Sequence, residues 1–204
     1  MKCKVKICGI RTIETAQTAI KFGADFLGFN FVPASDRFVS QLKAKEIIGG
    51  LHKEIKVVGV FQNETLEEIK KSISFLKLDF VQLHGQESPH YDVLTQYAGV
   101  IKTFSLNADF DITSTLLKMQ KYNVDYFLVD RITRGVGYPL DPERVRGLTS
   151  HFPIILSGGL TTENVREVVH IARPKVVDVA SGVETDGEQD IDKIREFIKR
   201  AKYD

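Results

Sequence analysis

The sequence predicts an α/β protein of the (β/α)8 type, a TIM barrel of eight parallel strands each followed by a helix. Three observations point there. Eight short Val/Ile/Phe-rich runs recur along the 204 residues with helical stretches between them, the alternation that accompanies a parallel sheet. Two of these runs close on Ser157-Gly158-Gly159 and Ser181-Gly182-Val183. Glycine amides at the mouth of a helix suit a phosphate, and in such a barrel the phosphate site follows strands seven and eight. The competing doubly wound sheet would carry G-x-G-x-x-G after its first strand, which Gly9-Ile10-Arg11-Thr12 does not supply, and no P-loop pattern occurs.

Strands are expected near Lys4 to Cys8, Phe26 to Phe31, Lys56 to Phe61, Phe80 to Leu83, Val100 to Phe104, Tyr126 to Val129, Ile154 to Leu156 and Val176 to Val179. The first helix starts at Thr12 and stops where Gly23 can take the left-handed cap geometry. Leu66, Ile69 and Ile73 share one face of a helix for which Asn63 is the expected N-cap. The sixth helix starts near Pro142, after a long loop from Arg131 to Asp141, and long loops behind strands are usually functional. Val165, Val168, Val169 and Ala172 follow the i, i+3, i+4, i+7 rule, and Ile191, Ile194, Ile198 and Ala201 mark the last helix.

With 43% hydrophobic and 27% charged residues, the chain suits a single barrel domain spanning residues 1–204. A formal net charge of +1, from 28 basic and 27 acidic residues, gives no bulk electrostatic reason to bind nucleic acid or an anionic membrane. No run approaches the roughly 18 apolar residues of a membrane span, and no apolar signal segment follows Met1, so a cytoplasmic protein is expected. Cys3 and Cys8 would be too far apart on one strand to bridge, hence free thiols, and the five histidines lack metal-ligand spacing. Monomer and homodimer suit the composition equally.

Cys8 ends the first strand at the barrel mouth. It is either a small buried apolar residue or a thiolate held by Lys6 on the same strand face. Lys6 inside a barrel needs a partner, and Asp178 on the neighbouring eighth strand is the natural one; otherwise each sits at a strand end in water. Asp130, directly after Tyr126 to Val129, is a turn cap or a proton donor, and the glycines Gly135 and Gly137 in the loop behind it favour the donor. His84, before Gly85, reads as a supporting hydrogen-bonding group. Arg37 follows strand two with few neighbours to neutralise it, as a solvated surface residue or as a fork for a substrate carboxylate.

Taken in order, Lys6-Ile-Cys-Gly9, Pro33-x-Ser35-x-Arg37, Val81-Gln-Leu-His-Gly85, Val129-Asp130, Leu156-Ser-Gly-Gly-Leu160 with Asn164-Val165, and Val177-Asp-Val-Ala-Ser-Gly-Val-Glu184 resemble phosphoribosylanthranilate isomerase of tryptophan biosynthesis from end to end. The resemblance implies a (β/α)8 barrel and a cofactor-free Amadori rearrangement of a small phosphorylated substrate, N-(5-phosphoribosyl)anthranilate. It implies Cys8 as general base, Asp130 as general acid, Arg37 on the anthranilate carboxylate, and the amides of Gly158, Gly159, Ser181 and Gly182 on the phosphate.

One segment departs from the family. Where a Gly-Gly-Ser-Gly stretch and a Phe-Asp-Trp are usual, this chain has Arg134-Gly-Val-Gly-Tyr-Pro-Leu-Asp-Pro142. Two rivals follow: another phosphosugar barrel enzyme, which needs a different acid and base, and a non-catalytic phosphosugar-binding relative.

Overall fold

Strands buried on both faces need near-continuous apolar runs, and the eight short Val/Ile/Phe segments meet that condition. In the computed structural model, which describes residues 3–51, 54–132 and 138–202, they form β1 (Lys4–Cys8), β2 (Phe26–Asn30), β3 (Lys56–Phe61), β4 (Phe80–Leu83), β5 (Gly99–Leu106), β6 (Tyr126–Arg131), β7 (Ile154–Leu156) and β8 (Val176–Val179). They pair in chain order as a closed, all-parallel barrel, with β8 returning to β1. The competing doubly wound sheet is thereby excluded. Strands β5 and β6 run further than the sequence suggests, because Ser105 pairs with Asp130 and Leu106 with Arg131. Asp130 therefore lies within a strand and not behind it.

The outer coat comprises α1 (Ile13–Lys21), α2 (Gln41–Gly49), α3 (Leu66–Leu76), a 3-10 helix at Pro89–Gln96, α4 (Ile112–Met119), α5 (Pro142–Thr149), α6 (Val165–Ala172) and α7 (Ile191–Lys202). Thr12, Ser40, Thr65, Asp111 and Asp141 cap α1 to α5, each side chain accepting from a first-turn amide. The cap of α3 is Thr65 and not Asn63. Asn63 takes a left-handed backbone (φ 54°), and its Oδ1 accepts from the Gln86 amide at 2.7 Å, so its side chain is used between loops. The fourth connection is 3-10 throughout, starting on a proline. Behind β8 the chain makes a short 3-10 turn (Ser181–Val183), then a hairpin of β9 (Glu184–Thr185) and β10 (Glu188–Gln189), before α7.

Two cores result. A large one lies between sheet and helices, and a small one of Phe26, Val58, Ile101, Leu128, Ile155 and Val176 fills the barrel interior. Phe26, Phe80 and Tyr126, each first in its strand, meet edge to face with centroids 5.6–6.3 Å apart and plug the amino-terminal end. Above them the inward positions turn polar, towards the strand carboxyl ends where barrel sites lie.

Candidate active site

At those carboxyl ends a cavity of about 550 Å³ opens. Cys8, Arg37, His84, Asp130, Gly158, Gly159, Asp178, Ser181 and Gly182 all line it. Lys6 lies below its floor, fully buried. Gly135 and Gly137 fall outside the described residues.

An ion pair supports the floor. Lys6 and Asp178 are register partners on β1 and β8, and Lys6 Nζ donates to Asp178 Oδ1 at 2.8 Å. The second oxygen of Asp178 accepts from Ser157 Oγ at 3.1 Å, so one carboxylate ties together β1, β8 and the turn behind β7. Cys8 stands one pleat above Lys6, over Gly28. A Cβ there would lie 2.8 Å from Cys8 Sγ and 3.1 Å from Lys6 Nζ, so only glycine leaves the two groups room. Burial works against the Lys6 charge, but Asp178 and then Cys8 outweigh it and raise its pKa. Burial also pushes the Cys8 thiol up, with Lys6 pulling the other way and Asp178 opposing Lys6. Cys3, buried on the outer side, is pushed up to about 12, chiefly by burial.

Across the cavity, Asp130 accepts from the Arg131 amide at 2.7 Å, and its other oxygen lies 3.9 Å from His84 Nε2. Burial raises the Asp130 pKa, against the pull of the Arg131 amide and of His84. Burial lowers that of His84, against the attraction of Asp130. On its other side, His84 Nδ1 lies 3.2 Å from the Gln82 side-chain amide, within hydrogen-bond reach.

The glycine turns form the third wall. Gly158 has φ +82° and Gly159 φ +72°, and the Asn164 side chain clips the turn by donating to Gly159 O and accepting from Thr161 N. Among the described residues, none of the amides of Gly158, Gly159, Ser181 and Gly182 donates to a protein acceptor. Four such donors beside one cavity suit an anion with several oxygens.

Arg37 is placed differently from expectation, for it has a neutralising neighbour. Its Nε and Nη2 donate to the two oxygens of Glu184, both at 2.6 Å. Glu184 ends the Val177–Glu184 motif, and nothing local in the sequence pairs it with Arg37, because only barrel closure brings it to the segment behind strand two. A second buried pair also went unread: Lys102 Nζ donates to Glu87 at 2.7 Å and to Gly85 O at 2.7 Å, while Glu87 accepts from the Gly85 amide. It clamps the turn behind His84. The lone cation in Val100-Ile-Lys102-Thr-Phe104 was its one signal.

A model of the family described as N-(5'phosphoribosyl)anthranilate (PRA) isomerase matches residues 5–200. The N-(5'-phosphoribosyl)anthranilate isomerase of Geotalea uraniireducens is 43% identical over 204 residues, covering 98% of each chain. Among solved structures, phosphoribosyl anthranilate isomerase from Thermotoga maritima is similar with a TM-score of 0.89 at 36% identity, covering 98% of both chains. So is a phosphoribosyl anthranilate isomerase crystallised in complex with reduced 1-(o-carboxyphenylamino)-1-deoxyribulose 5-phosphate, with a TM-score of 0.86, 36% identity and 98% of both chains covered.

Proposed function

The chain belongs to the N-(5'-phosphoribosyl)anthranilate isomerase family, and from that premise we propose that its cavity converts N-(5-phosphoribosyl)anthranilate to 1-(2-carboxyphenylamino)-1-deoxyribulose 5-phosphate, in tryptophan biosynthesis, with Cys8 as base and Asp130 as acid. One observation carries the assignment of roles. A buried thiol beside an ammonium and a carboxyl whose pKa burial raises face the same cavity, one end of which holds four amides that donate to no protein acceptor among the described residues.

The chemistry follows from charge. Protonated Asp130 gives its proton to the furanose ring oxygen; the bond from that oxygen to C1 breaks, and the anilino nitrogen lone pair forms the C=N bond of a Schiff base. Cys8 thiolate then takes the C2 proton, and the electrons of that C–H bond make the C1=C2 bond of an enolamine while the nitrogen regains its pair. C1 gains a proton and the 2-hydroxyl loses one as the ketone forms, so the net proton count is zero. Burial suits Asp130 to its task by favouring the acid form. It works against the Cys8 thiolate, and the nearby Lys6 ammonium is what opposes it. The phosphate binds the amides of Gly158, Gly159, Ser181 and Gly182, and the anthranilate carboxylate meets Arg37.

On this reading residues 1–204 act as one barrel domain in the cytoplasm, as a monomer or homodimer. Among the described residues no helix is long and apolar enough to cross a membrane. The test is turnover of phosphoribosylanthranilate generated in situ, followed by loss of anthranilate-type fluorescence. Tight binding of the reduced product analogue without turnover would instead identify a non-catalytic relative.

A further inference from the structure

We propose that Glu184 is the positioning residue of the carboxylate subsite: it grips Arg37 along the Nε–Nη2 edge and so presents the Nη1–Nη2 edge to the substrate. This rests on the reading of Arg37 given above. The two residues divide the work by location. Arg37 lines the cavity, whereas Glu184 does not and keeps only 9% of its side chain exposed. A guanidinium has five N–H donors in a plane, and the fork on Glu184 occupies one on Nε and one on Nη2. The end-on pair, one donor on Nη1 and one on Nη2, has no partner among the described residues, and it matches a second carboxylate.

The grip is itself anchored. Glu184 opens the β9–β10 hairpin, and Lys193 Nζ donates to its carbonyl at 2.8 Å. Directly across the hairpin from Glu184, its register partner Gln189 donates from Nε2 to Cys8 O at 3.1 Å. Arg11 spans from Gly187 O to Asp36 O, at 2.8 and 3.2 Å, and so joins the hairpin to the segment carrying Arg37. Ser35 Oγ accepts from the Arg37 amide at 3.2 Å. The hairpin thus fixes the carboxylate contact and the backbone of the base in one frame.

The pairing has a chemical consequence. Glu184 cancels the formal charge of Arg37, so recognition depends on a preset direction of two N–H bonds more than on net attraction. A guanidinium released from that grip must be reordered by each substrate molecule, which weakens binding while leaving the acid and base in place.

The experiment compares Glu184→Gln, Arg37→Ala and the double variant. It measures steady-state turnover, and binding of reduced 1-(o-carboxyphenylamino)-1-deoxyribulose 5-phosphate and of its anilino counterpart lacking the carboxylate. Glu184→Gln should raise KM about 10- to 100-fold with kcat within about threefold, the scale of a misplaced binding group. It should weaken the carboxylated analogue by a like factor, spare the decarboxylated one, and add nothing in the Arg37→Ala background. Equal weakening of both analogues by Glu184→Gln, or additive losses in the double variant, overturns the proposal while the Arg37 reading stands. If Arg37→Ala itself fails to discriminate the analogues, the Arg37 reading fails and the proposal falls with it. Thermal melts show whether each variant folds; should Glu184→Gln not, Glu184→Asp, which keeps the charge and shortens the reach, is measured with the same outcomes.

Discussion

Lys6 and Asp178 are 172 positions apart in the chain, and their side chains meet at 2.8 Å on the two strands that close the barrel. Lys6 is fully buried, so Asp178→Asn leaves an ammonium without a countercharge and should cost about 3–5 kcal/mol in urea unfolding. Adding Lys6→Met should recover most of that loss. A cost below about 1 kcal/mol for Asp178→Asn, the range of a surface pair, would mean that the closure does not depend on this contact.

Cys8→Ala should lower turnover by about two to four orders of magnitude, the usual contribution of a positioned base, while the reduced product analogue binds nearly as before. Near-normal turnover would remove Cys8 from the reaction. Cys3→Ala should leave turnover unchanged.

Asp141, which survives in the loop that departs from the family, is the rival proton donor to Asp130, and two variants separate them. Asp130→Asn keeps the shape and the Arg131 amide bond but cannot release a proton, so turnover should fall by about two to four orders of magnitude. Asp141 caps α5 by accepting from the Glu143 amide, and asparagine caps about as well, so Asp141→Asn should alter neither turnover nor stability appreciably. Comparable losses of turnover at both positions would reassign the acid.

The raised Asp130 pKa also links stability to pH. Because the folded value lies above the unfolded one, the stabilising contribution is full below the unfolded carboxyl value of about 4 and is lost as pH rises through the folded value. Asn at this position has no such dependence. The melting temperature of Asp130→Asn relative to the parent should therefore rise with pH from about 4 towards neutrality. A flat difference would contradict a buried carboxyl.

For Cys8 the direction is the same. Burial raises its pKa, so the rate of iodoacetamide alkylation should be low at neutral pH and climb with a midpoint above the ordinary thiol value of about 8.5. Lys6→Met, which removes the opposing ammonium, should move the midpoint higher still. A midpoint below 8 would be incompatible with the Lys6, Asp178 and Cys8 arrangement described, and the product analogue should protect Cys8 from alkylation.

Sulfate or phosphate soaked into crystals should lie against the amides of Gly158, Gly159, Ser181 and Gly182. An anion held elsewhere, with those amides bonded to protein, would move the phosphate site.

What could be read along the chain was what local chemistry determines. The apolar runs located all eight strands, glycines after the last two marked the turns that wall the cavity, and Cys8 and Asp130 were legible because each sits at or near the end of such a run. A lysine inside an apolar strand announces a need for countercharge, and the neighbouring strand supplied Asp178. Tertiary structure decided the rest. Arg37 reads as unneutralised in sequence because Glu184, 147 positions away, reaches it only once β8 has closed on β1. Asp130 belongs to β6 because β5 extends beside it, and Asn63 yields the capping of α3 to Thr65 because the β4 turn needs its side chain. Periodicity and backbone preference act over a few residues, whereas the partner of a charge depends on which distant elements the closed barrel brings within hydrogen-bond reach.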